Sequence, residues 1–240
     1  MTGVLSEFLL NHFDVRTDLW VNHFVGHHPW FDQLVVNCAA TNLTSSLVIV
    51  LIIWFAVFDA HRESRLREGH EMIFGGALFA MVATVVARGI AISMPFRSRP
   101  IATPALHFRL PPGSSLDLVH WSSFPSDHAA LFFALAVGIL PVSRRLGWLA
   151  ISWVAVVICL PLIYLGVHWP SDIFAGALLG IGIVQMARIP AVRNFLRGHI
   201  EHLNARRPAL FLAIFFLWSY ETTVLFEGVR KALFYFSGKY

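Results

Sequence analysis

The sequence predicts an all-α, polytopic integral membrane protein with about six transmembrane helices. Hydrophobic residues make up 57% of the 240-residue chain and charged residues only 13%. Soluble domains carry about 25% charged residues, roughly twice this share. The mean hydropathy of the chain is +0.66. Long apolar runs also alternate with short polar stretches along the chain. Together these observations exclude a soluble globular protein.

Membrane spans need around 20 apolar residues each, and the chain contains six runs that approach this length. They lie at residues 34–58, 72–95, 128–140, 148–166, 173–187 and 210–226. The third and fifth runs are short, which predicts helices that begin slightly below the membrane surface. Residues 1–33 mix acidic residues with scattered aromatics and predict an interfacial segment, at whose boundary Asp32 is expected to be solvated. We therefore expect a single membrane domain, residues 1–240.

Basic residues indicate the orientation of these spans. They concentrate in alternate loops, at residues 59–70, 143–145 and 188–207. Loops rich in Lys and Arg face the cytoplasm, so the loops between them, including residues 96–124, are expected to face outward. The net charge of +4 is thus a topology signal, and we predict no nucleic-acid partner.

Two sequence stretches on the outer side repeat the tripeptide Pro-Ser-Asp, Pro125-Ser126-Asp127-His128 and His168-Trp169-Pro170-Ser171-Asp172. Ser is a favoured N-cap and Asp suits the first turn of a helix, so each stretch predicts a helix start with Ser as its cap. Two helix N-termini facing one space make an anion site. Arg97 and Arg99 lie on the same surface, and guanidinium groups match phosphate oxygens. The pattern predicts a phosphate site.

These residues resemble a known enzyme family. Arg99-Pro100, then Pro125 to His128, then Gly166-Val167-His168 with Asp172 have the order and spacing of the type 2 phosphatidic acid phosphatase superfamily. Its pattern is Lys-x6-Arg-Pro, Pro-Ser-Gly/Asp-His and Ser-Arg-x5-His-x3-Asp, and the resemblance covers about residues 87–180. It implies a helical, metal-independent phosphatase or phosphotransferase without a cofactor, which acts on phosphate monoesters or pyrophosphates, often of lipids.

The resemblance also implies a role for each matching residue. His168 would be the nucleophile that forms a phosphohistidine, and Asp172 would accept a hydrogen bond from its other ring nitrogen. His128 would be the general acid that protonates the leaving oxygen. The residues that would hold the phosphate oxygens are Arg99, Ser126 and, at the start of the third span, Asp127.

Two phosphate-binding cations of the family pattern are missing from this chain. Ile92 stands where the pattern has Lys, and Leu162 stands where it has Arg. Arg88 lies one helical turn before Ile92 on the same face, and an arginine inside an apolar span is a functional candidate. Arg97 is a second candidate to compensate, with a headgroup-facing charge as the alternative. We therefore expect both arginines to bind phosphate.

The resulting hypothesis is metal-independent hydrolysis of a lipid phosphate or pyrophosphate at the non-cytoplasmic face of a bacterial inner membrane. Polyprenyl pyrophosphate is the first candidate substrate and a phospholipid phosphate the second. Two alternatives stay open: a catalytically inactive lipid-phosphate-binding relative, and a phosphotransferase that uses the same histidine. Besides the substrate, we expect only membrane lipids as partners. No metal site is predicted, because the histidines His23, His27 and His28 lack a regular ligand spacing with a carboxylate.

Overall fold

The computed structural model of the protein describes residues 13–40, 46–62, 66–112 and 121–224, and it is helical without strands in these ranges. The helices are α1 (Val15–Asn22), α2 (Pro29–Ala40), α3 (Val48–Arg62), α4 (Leu66–Ser93), α5 (Asp127–Ile139), α6 (Arg144–Trp153), α7 (Leu160–Tyr164), α8 (Pro170–Gln185), α9 (Pro190–Arg206) and α10 (Pro208–Thr223). Short 3₁₀ turns lie at Pro100–Ala102, Pro104–Leu106 and Met186–Arg188, and a π-helical stretch, Val154–Cys159, joins α6 to α7. The predicted all-α class is confirmed.

Three helical stretches of the described residues are long and apolar enough to cross a membrane: Met72–Ser93, Arg144–Tyr164 and Pro170–Arg188. Two shorter apolar helices, Val48–Phe58 and Asp127–Ile139, accompany them. The run predicted at 34–58 is divided between α2 and α3, and residues 41–45 between them lie outside the described residues. The number of six spans stays a prediction.

Helix α5 is the centre of the bundle and packs against both α4 and α8. Ten of its residues are buried, which is why its sequence is apolar all round. Two glycines of α8, Gly176 and Gly180, face the backbone of α5 so closely that a Cβ atom there would overlap the carbonyl oxygens of Ser126 and Ala130. A Gly-x-x-x-Gly spacing of this kind lets helix backbones approach each other. This contact brings the starts of α5 and α8 together.

The N-terminal helices α1 and α2 pack against α7, and their aspartates point inward. Asp14 and Asp18 are fully buried, and Asp32 is only 3% exposed. The expectation that Asp32 is solvated was wrong: its carboxylate accepts hydrogen bonds from the Gly26 N–H, at 3.0 Å, and from the Tyr164 hydroxyl. A carboxylate at the edge of an apolar run is expected to be exposed, but here a nearby backbone N–H and a hydroxyl distant in the chain satisfy it.

Candidate active site

The two Pro-Ser-Asp stretches begin helices that meet at one place. Ser126 caps α5, since its Oγ accepts from the Ala129 N–H at 3.3 Å, and its own N–H donates to the Asp172 carbonyl at 3.1 Å. The second stretch differs from the expectation. Helix α8 begins at Pro170 with Trp169 at the N-cap, because Pro is favoured at the first helical position. Ser171 therefore lies within the first turn and does not cap it.

His168 lies in the loop between α7 and α8 and is 2% exposed. Its Nδ1 is 2.9 Å from the Ser123 carbonyl oxygen and 3.6 Å from Asp172 Oδ2. Both neighbours are acceptors, so we assign the ring proton to Nδ1 and leave an electron pair on Nε2. Burial lowers the pKa of His168, although the negative charge of nearby Asp172 opposes this shift. A neutral imidazole with a free Nε2 is the form that can act as a nucleophile.

The backbone around His168 is held by a tight turn. Gly166 has φ of +64°, a left-handed conformation that favours glycine, and a Cβ there would lie 2.7 Å from the Phe108 ring. The carbonyl of Leu162 accepts the N–H groups of Val167 and His168, at 2.8 and 3.2 Å. Leu162 itself is buried. The position at which the family pattern has Arg thus supports His168 through its backbone while its side chain packs in the core.

Arg99 lies against the free nitrogen of His168. Its Nη1 is 3.4 Å from His168 Nε2 and donates to the Val167 carbonyl at 2.7 Å, while its Nε donates to the Trp121 carbonyl at 3.3 Å. The side chain is 5% exposed, and this burial lowers the pKa of Arg99 from its ordinary value. A buried guanidinium fixed beside the nucleophile is placed to hold an oxygen of the group under attack.

On the other side of the site, Asp127 joins Arg88 to His128. Its Oδ2 is 2.5 Å from Arg88 Nη2, and its Oδ1 lies 3.0 Å from both the backbone nitrogen and Nδ1 of His128. Arg88 also stacks over the Trp121 ring at 5.4 Å. The structure therefore brings Arg88, from the apolar span, to the start of α5. The Asp127 carboxylate binds these two groups, and only its backbone amide remains suited to a phosphate.

The two histidines face each other across a gap. Their ring centroids are 6.4 Å apart, with the planes tilted by 60°. Because Nδ1 of His128 is held by Asp127, its Nε2 remains for proton transfer. In-line displacement at phosphorus needs a nucleophile and a general acid on opposite sides of the phosphoryl group, and two histidines in this arrangement are compatible with it.

Arg97 occupies a different place from the one that the sequence predicts. Its guanidinium pairs with Asp14 Oδ2 at 2.6 Å, donates to Ser171 Oγ at 2.9 Å and forms an ion pair with Asp172 Oδ1. It thus lies behind Asp172, while Arg99 and Arg88 flank the two histidines. Asp14 and the Ser123 carbonyl belong to no sequence motif, and their partners are distant in the chain, so only the structure identifies them.

Donor atoms of Asp127, His128 and His168 all lie within 4.8 Å of one another, a spacing that a metal ion could use. The cations next to them argue for a different ligand. Arg88 pairs with Asp127 and Arg99 lies against His168, and both would repel a metal ion. Two arginines and two helix N-termini favour an anion instead.

The cleft beside Arg88 is largely apolar. Its volume is about 230 Å³, and its lining residues are Arg88, Ala91, Ile92, Met94, Phe96, Trp121 and Ser122. Ile92, at the position of the family lysine, is 79% exposed. The cleft therefore joins a charged end next to Asp127 to an open apolar wall.

Comparison with known proteins agrees with this geometry. The Bacitracin transport permease protein BcrC of Bacillus licheniformis is 43% identical over 60 residues, 25% of this chain and 29% of that protein. Putative undecaprenyl-diphosphatase YbjG of Escherichia coli (strain K12) is 26% identical over 153 residues, 64% of this chain and 70% of that protein. Undecaprenyl-diphosphatase BcrC of Bacillus subtilis (strain 168) is 23% identical over 160 residues, 66% of this chain and 75% of that protein. No solved structure matches the chain.

The family model gives the broadest match. The model of the PAP2 superfamily covers residues 72–194, just over half of the chain. This region extends from α4 into α9 and includes Arg88, Arg99, His128, His168 and Asp172. The chain spans less than a third of the first relative and more than two thirds of the other two. The chain therefore belongs to the PAP2 superfamily, as the resemblance of its motifs predicts.

Proposed function

We propose that the protein is a membrane phosphatase that hydrolyses a lipid pyrophosphate through a phosphohistidine on His168. The observation that carries the proposal is the free Nε2 of a buried His168, with Arg99 3.4 Å away and His128 across the gap. The superfamily match and the relatives named undecaprenyl-diphosphatase support a phosphatase of this class. Among lipid substrates we place polyprenyl pyrophosphate first and phospholipid phosphates second.

The reaction proceeds in two displacements. His168 Nε2 attacks the terminal phosphorus, the bridging P–O bond breaks, and His128 gives its proton to the leaving oxygen. Water then attacks the phosphohistidine and passes a proton to His128, which releases inorganic phosphate and restores both rings. Arg99 and Arg88 hold the non-bridging oxygens, where charge must be stabilised. The carboxylate of Asp172 stabilises the positive ring of phosphorylated His168.

The shape of the cleft supports an amphiphilic substrate. Arg88 provides a cation at one end, and the remaining wall is formed mainly by Ile92, Met94, Phe96 and Trp121. Ile92 and Phe96 are largely exposed, so an apolar chain in the membrane can reach this wall directly. A lipid pyrophosphate can bind here with its charged head at Arg88 and Arg99 and its hydrocarbon chain against this wall.

We also propose that the site faces the non-cytoplasmic side of a bacterial inner membrane. Helix α8 begins at the site and the helical stretch continues to Arg188, after which α9 carries further arginines. The site and these arginines therefore lie at opposite ends of one apolar stretch. Because arginine-rich loops face the cytoplasm, this arrangement supports a site on the other side.

Phosphate release by the detergent-purified protein tests the proposed function. The substrates are undecaprenyl pyrophosphate, phosphatidic acid and phosphatidylglycerophosphate, each with and without EDTA, and His168→Ala is the control. We expect release that survives EDTA and falls by at least about 10³-fold in the variant, as on loss of a nucleophile. Release that persists in His168→Ala would overturn the phosphohistidine.

A second measurement separates the alternatives. Labelled substrate is added and the reaction is quenched at alkaline pH, where phosphohistidine survives. Label on wild-type protein that is absent from His168→Ala supports the proposed intermediate. Label that appears in a sugar or lipid hydroxyl instead of free phosphate would identify a phosphotransferase, and neither label nor release would identify an inactive binding relative.

A further inference from the structure

We propose that Asp14 in the N-terminal segment is a positioning residue of the active site, which acts on the His168–Asp172 pair through Arg97. This inference rests on the proposed function and adds a part of the chain to it, because Asp14 lies outside residues 72–194 that match the superfamily. The side chain does not contact the reacting atoms. Asp14 partly neutralises the charge of Arg97. Arg97 then neutralises Asp172 less completely, and the Asp172 carboxylate interacts more strongly with His168.

The contacts of Asp14 form a continuous chain to the nucleophile. Asp14 Oδ2 is 2.6 Å from Arg97 Nη2, and the other terminal nitrogen of Arg97 pairs with Asp172 Oδ1. Asp172 Oδ2 in turn lies 3.6 Å from His168 Nδ1. One guanidinium thus bridges two carboxylates. The remaining oxygen of Asp172, Oδ2, accepts from the Trp169 N–H at 2.9 Å and faces the histidine.

Asp14 also holds the start of α8. Its Oδ1 accepts from the Ser171 N–H at 2.9 Å and its Oδ2 from the Ser171 hydroxyl at 2.6 Å. A carboxylate at the N-terminus of a helix satisfies free N–H groups and interacts favourably with the helix dipole. Asp172 lies one residue further along this turn, so Asp14 fixes the backbone that carries it. Asp14 is fully buried. Its charge therefore interacts strongly with neighbouring groups, because the local dielectric constant is low.

Asp18 determines how many carboxylates share the charge of Arg97. Asp18, one turn after Asp14 on α1, is buried and neither of its oxygens has a hydrogen-bond partner among the described residues. Burial, with the nearby charges of Asp14 and Asp172, raises the pKa of Asp18 to about 8. At neutral pH Asp18 is therefore protonated, and the charge of Arg97 is divided between Asp14 and Asp172.

Removing the charge of Asp14 has a defined consequence for His168. In Asp14→Asn the whole charge of Arg97 acts on Asp172, so Asp172 stabilises a positive His168 ring less well. The charged and titratable groups facing this pair are Arg97, Asp14 and Asp18 from behind, Arg99 at His168 Nε2, and Asp127, Arg88 and His128 across the gap. Since the others are unchanged, the pKa of His168 falls. Phosphorylation of His168 becomes less favourable for the same reason.

Two measurements on the full-length protein in detergent test the inference. The first is kcat, KM and the pH profile of phosphate release for wild type, Asp14→Asn and Asp14→Glu. The second is the titration of His168 by NMR of isotopically labelled histidine, with His168→Gln to identify its signal. Asp18→Asn is the matched control, because it keeps α1 buried and mimics the protonated side chain below pH 8.

We expect kcat of Asp14→Asn to fall about 10- to 100-fold, the range for a misplaced catalytic group, while KM stays within about threefold of wild type. The acid limb of the kcat profile and the His168 midpoint should both move to lower pH, Asp14→Glu should recover part of kcat, and Asp18→Asn should behave as wild type. An unchanged His168 midpoint together with unchanged kcat in Asp14→Asn would overturn the inference.

A double-mutant cycle with Arg97→Gln tests the route, since in that background Asp14 has no guanidinium through which to act on Asp172. If Asp14 acts through Arg97, Asp14→Asn adds little to Arg97→Gln. Effects on kcat that multiply would show that Asp14 acts by another route and overturn the inference. A wild-type protein that releases no phosphate would contradict the proposed function, and the His168 titration would still decide the coupling.

Discussion

At the scale of single residues, the site contains two chains of contacting charged side chains, one on each side of the gap between His128 and His168. One chain runs from Arg97 through Asp172 to His168, next to Arg99; the other runs from Arg88 through Asp127 to His128. Each histidine is held at Nδ1 by acceptors, and each has a cation near it. We propose that Arg88, whose guanidinium reaches the start of α5, takes the place of the family Lys that is missing at Ile92.

The substitution Arg88→Ala tests whether Arg88 replaces the missing lysine. Removing one donor to developing oxygen charge costs about 10²–10³ in kcat, and we expect a loss of this size, at least as severe as in Arg99→Ala. Adding Ile92→Lys to Arg88→Ala should restore part of the activity, because residues 88 and 92 share the cleft. The measurement is phosphate release from undecaprenyl pyrophosphate. Wild-type activity in Arg88→Ala would end this assignment.

At the scale of secondary-structure elements, the contact between α5 and α8 decides whether the motifs meet. Gly176 lies one turn after Asp172 and faces the Ser126 carbonyl, and the Ser126 N–H in turn donates to the Asp172 carbonyl. The caps of both helices therefore depend on a separation that only glycine permits. We therefore expect the glycine behind the His-x3-Asp motif to affect catalysis without touching the substrate.

The substitution Gly176→Ala is expected to lower both stability and activity. Its Cβ would overlap the backbone carbonyl of Ser126, and overpacking of this kind costs about 1–3 kcal/mol. Gly182→Ala is the matched control, since a Cβ there has no neighbour within 4 Å and alanine is the better helix former. Thermal unfolding in detergent and phosphate release measure the two effects. Equal behaviour of both variants would contradict the role of close helix packing.

At the scale of the whole molecule, residues far apart in sequence share one buried polar network. Asp14 and Ser171 are 157 positions apart, yet two hydrogen bonds join them. Buried polar networks of this kind are costly unless each group is satisfied. Asp18 is buried beside this network, and neither of its oxygens has a hydrogen-bond partner among the described residues. Its protonation makes the burial of α1 tolerable, so the stability of the N-terminal segment depends on pH.

Asp18 should therefore make the protein less stable as pH rises. Its pKa is raised from 3.8 to about 8 in the folded state, so the folded protein binds more protons than the unfolded chain between these values. The contribution is fully present below pH 3.8 and is lost as pH rises through about 8. At pH 8.5, the Tm of Asp18→Asn should exceed that of wild type by at least about 2–4 °C, the shift for about 1 kcal/mol. Thermal melts of both proteins across this pH range measure it, and parallel curves would contradict it.

Sequence alone determined the helical membrane class and the family, and it singled out His128, His168, Asp172 and Arg99, which the structure brings together. These follow from composition and from motif spacing, which can be read from the sequence without any knowledge of tertiary contacts. The cap at Ser126 was also predicted correctly, because capping depends on a few adjacent residues. Ser171 was not, because the proline before it sets the helix start and a distant carboxylate takes up its hydroxyl.

Only the tertiary structure decided where the cations lie. Arg88 and Arg97 were both expected to bind phosphate, Arg97 with a headgroup-facing charge as the alternative, but folding places Arg88 on Asp127 and Arg97 between Asp14 and Asp172. It also buried Asp14, Asp18 and Asp32, which the sequence presents as interfacial charges. The physical reason is that an ion pair needs two partners, and here these partners come from helices that are far apart in the chain until the bundle forms.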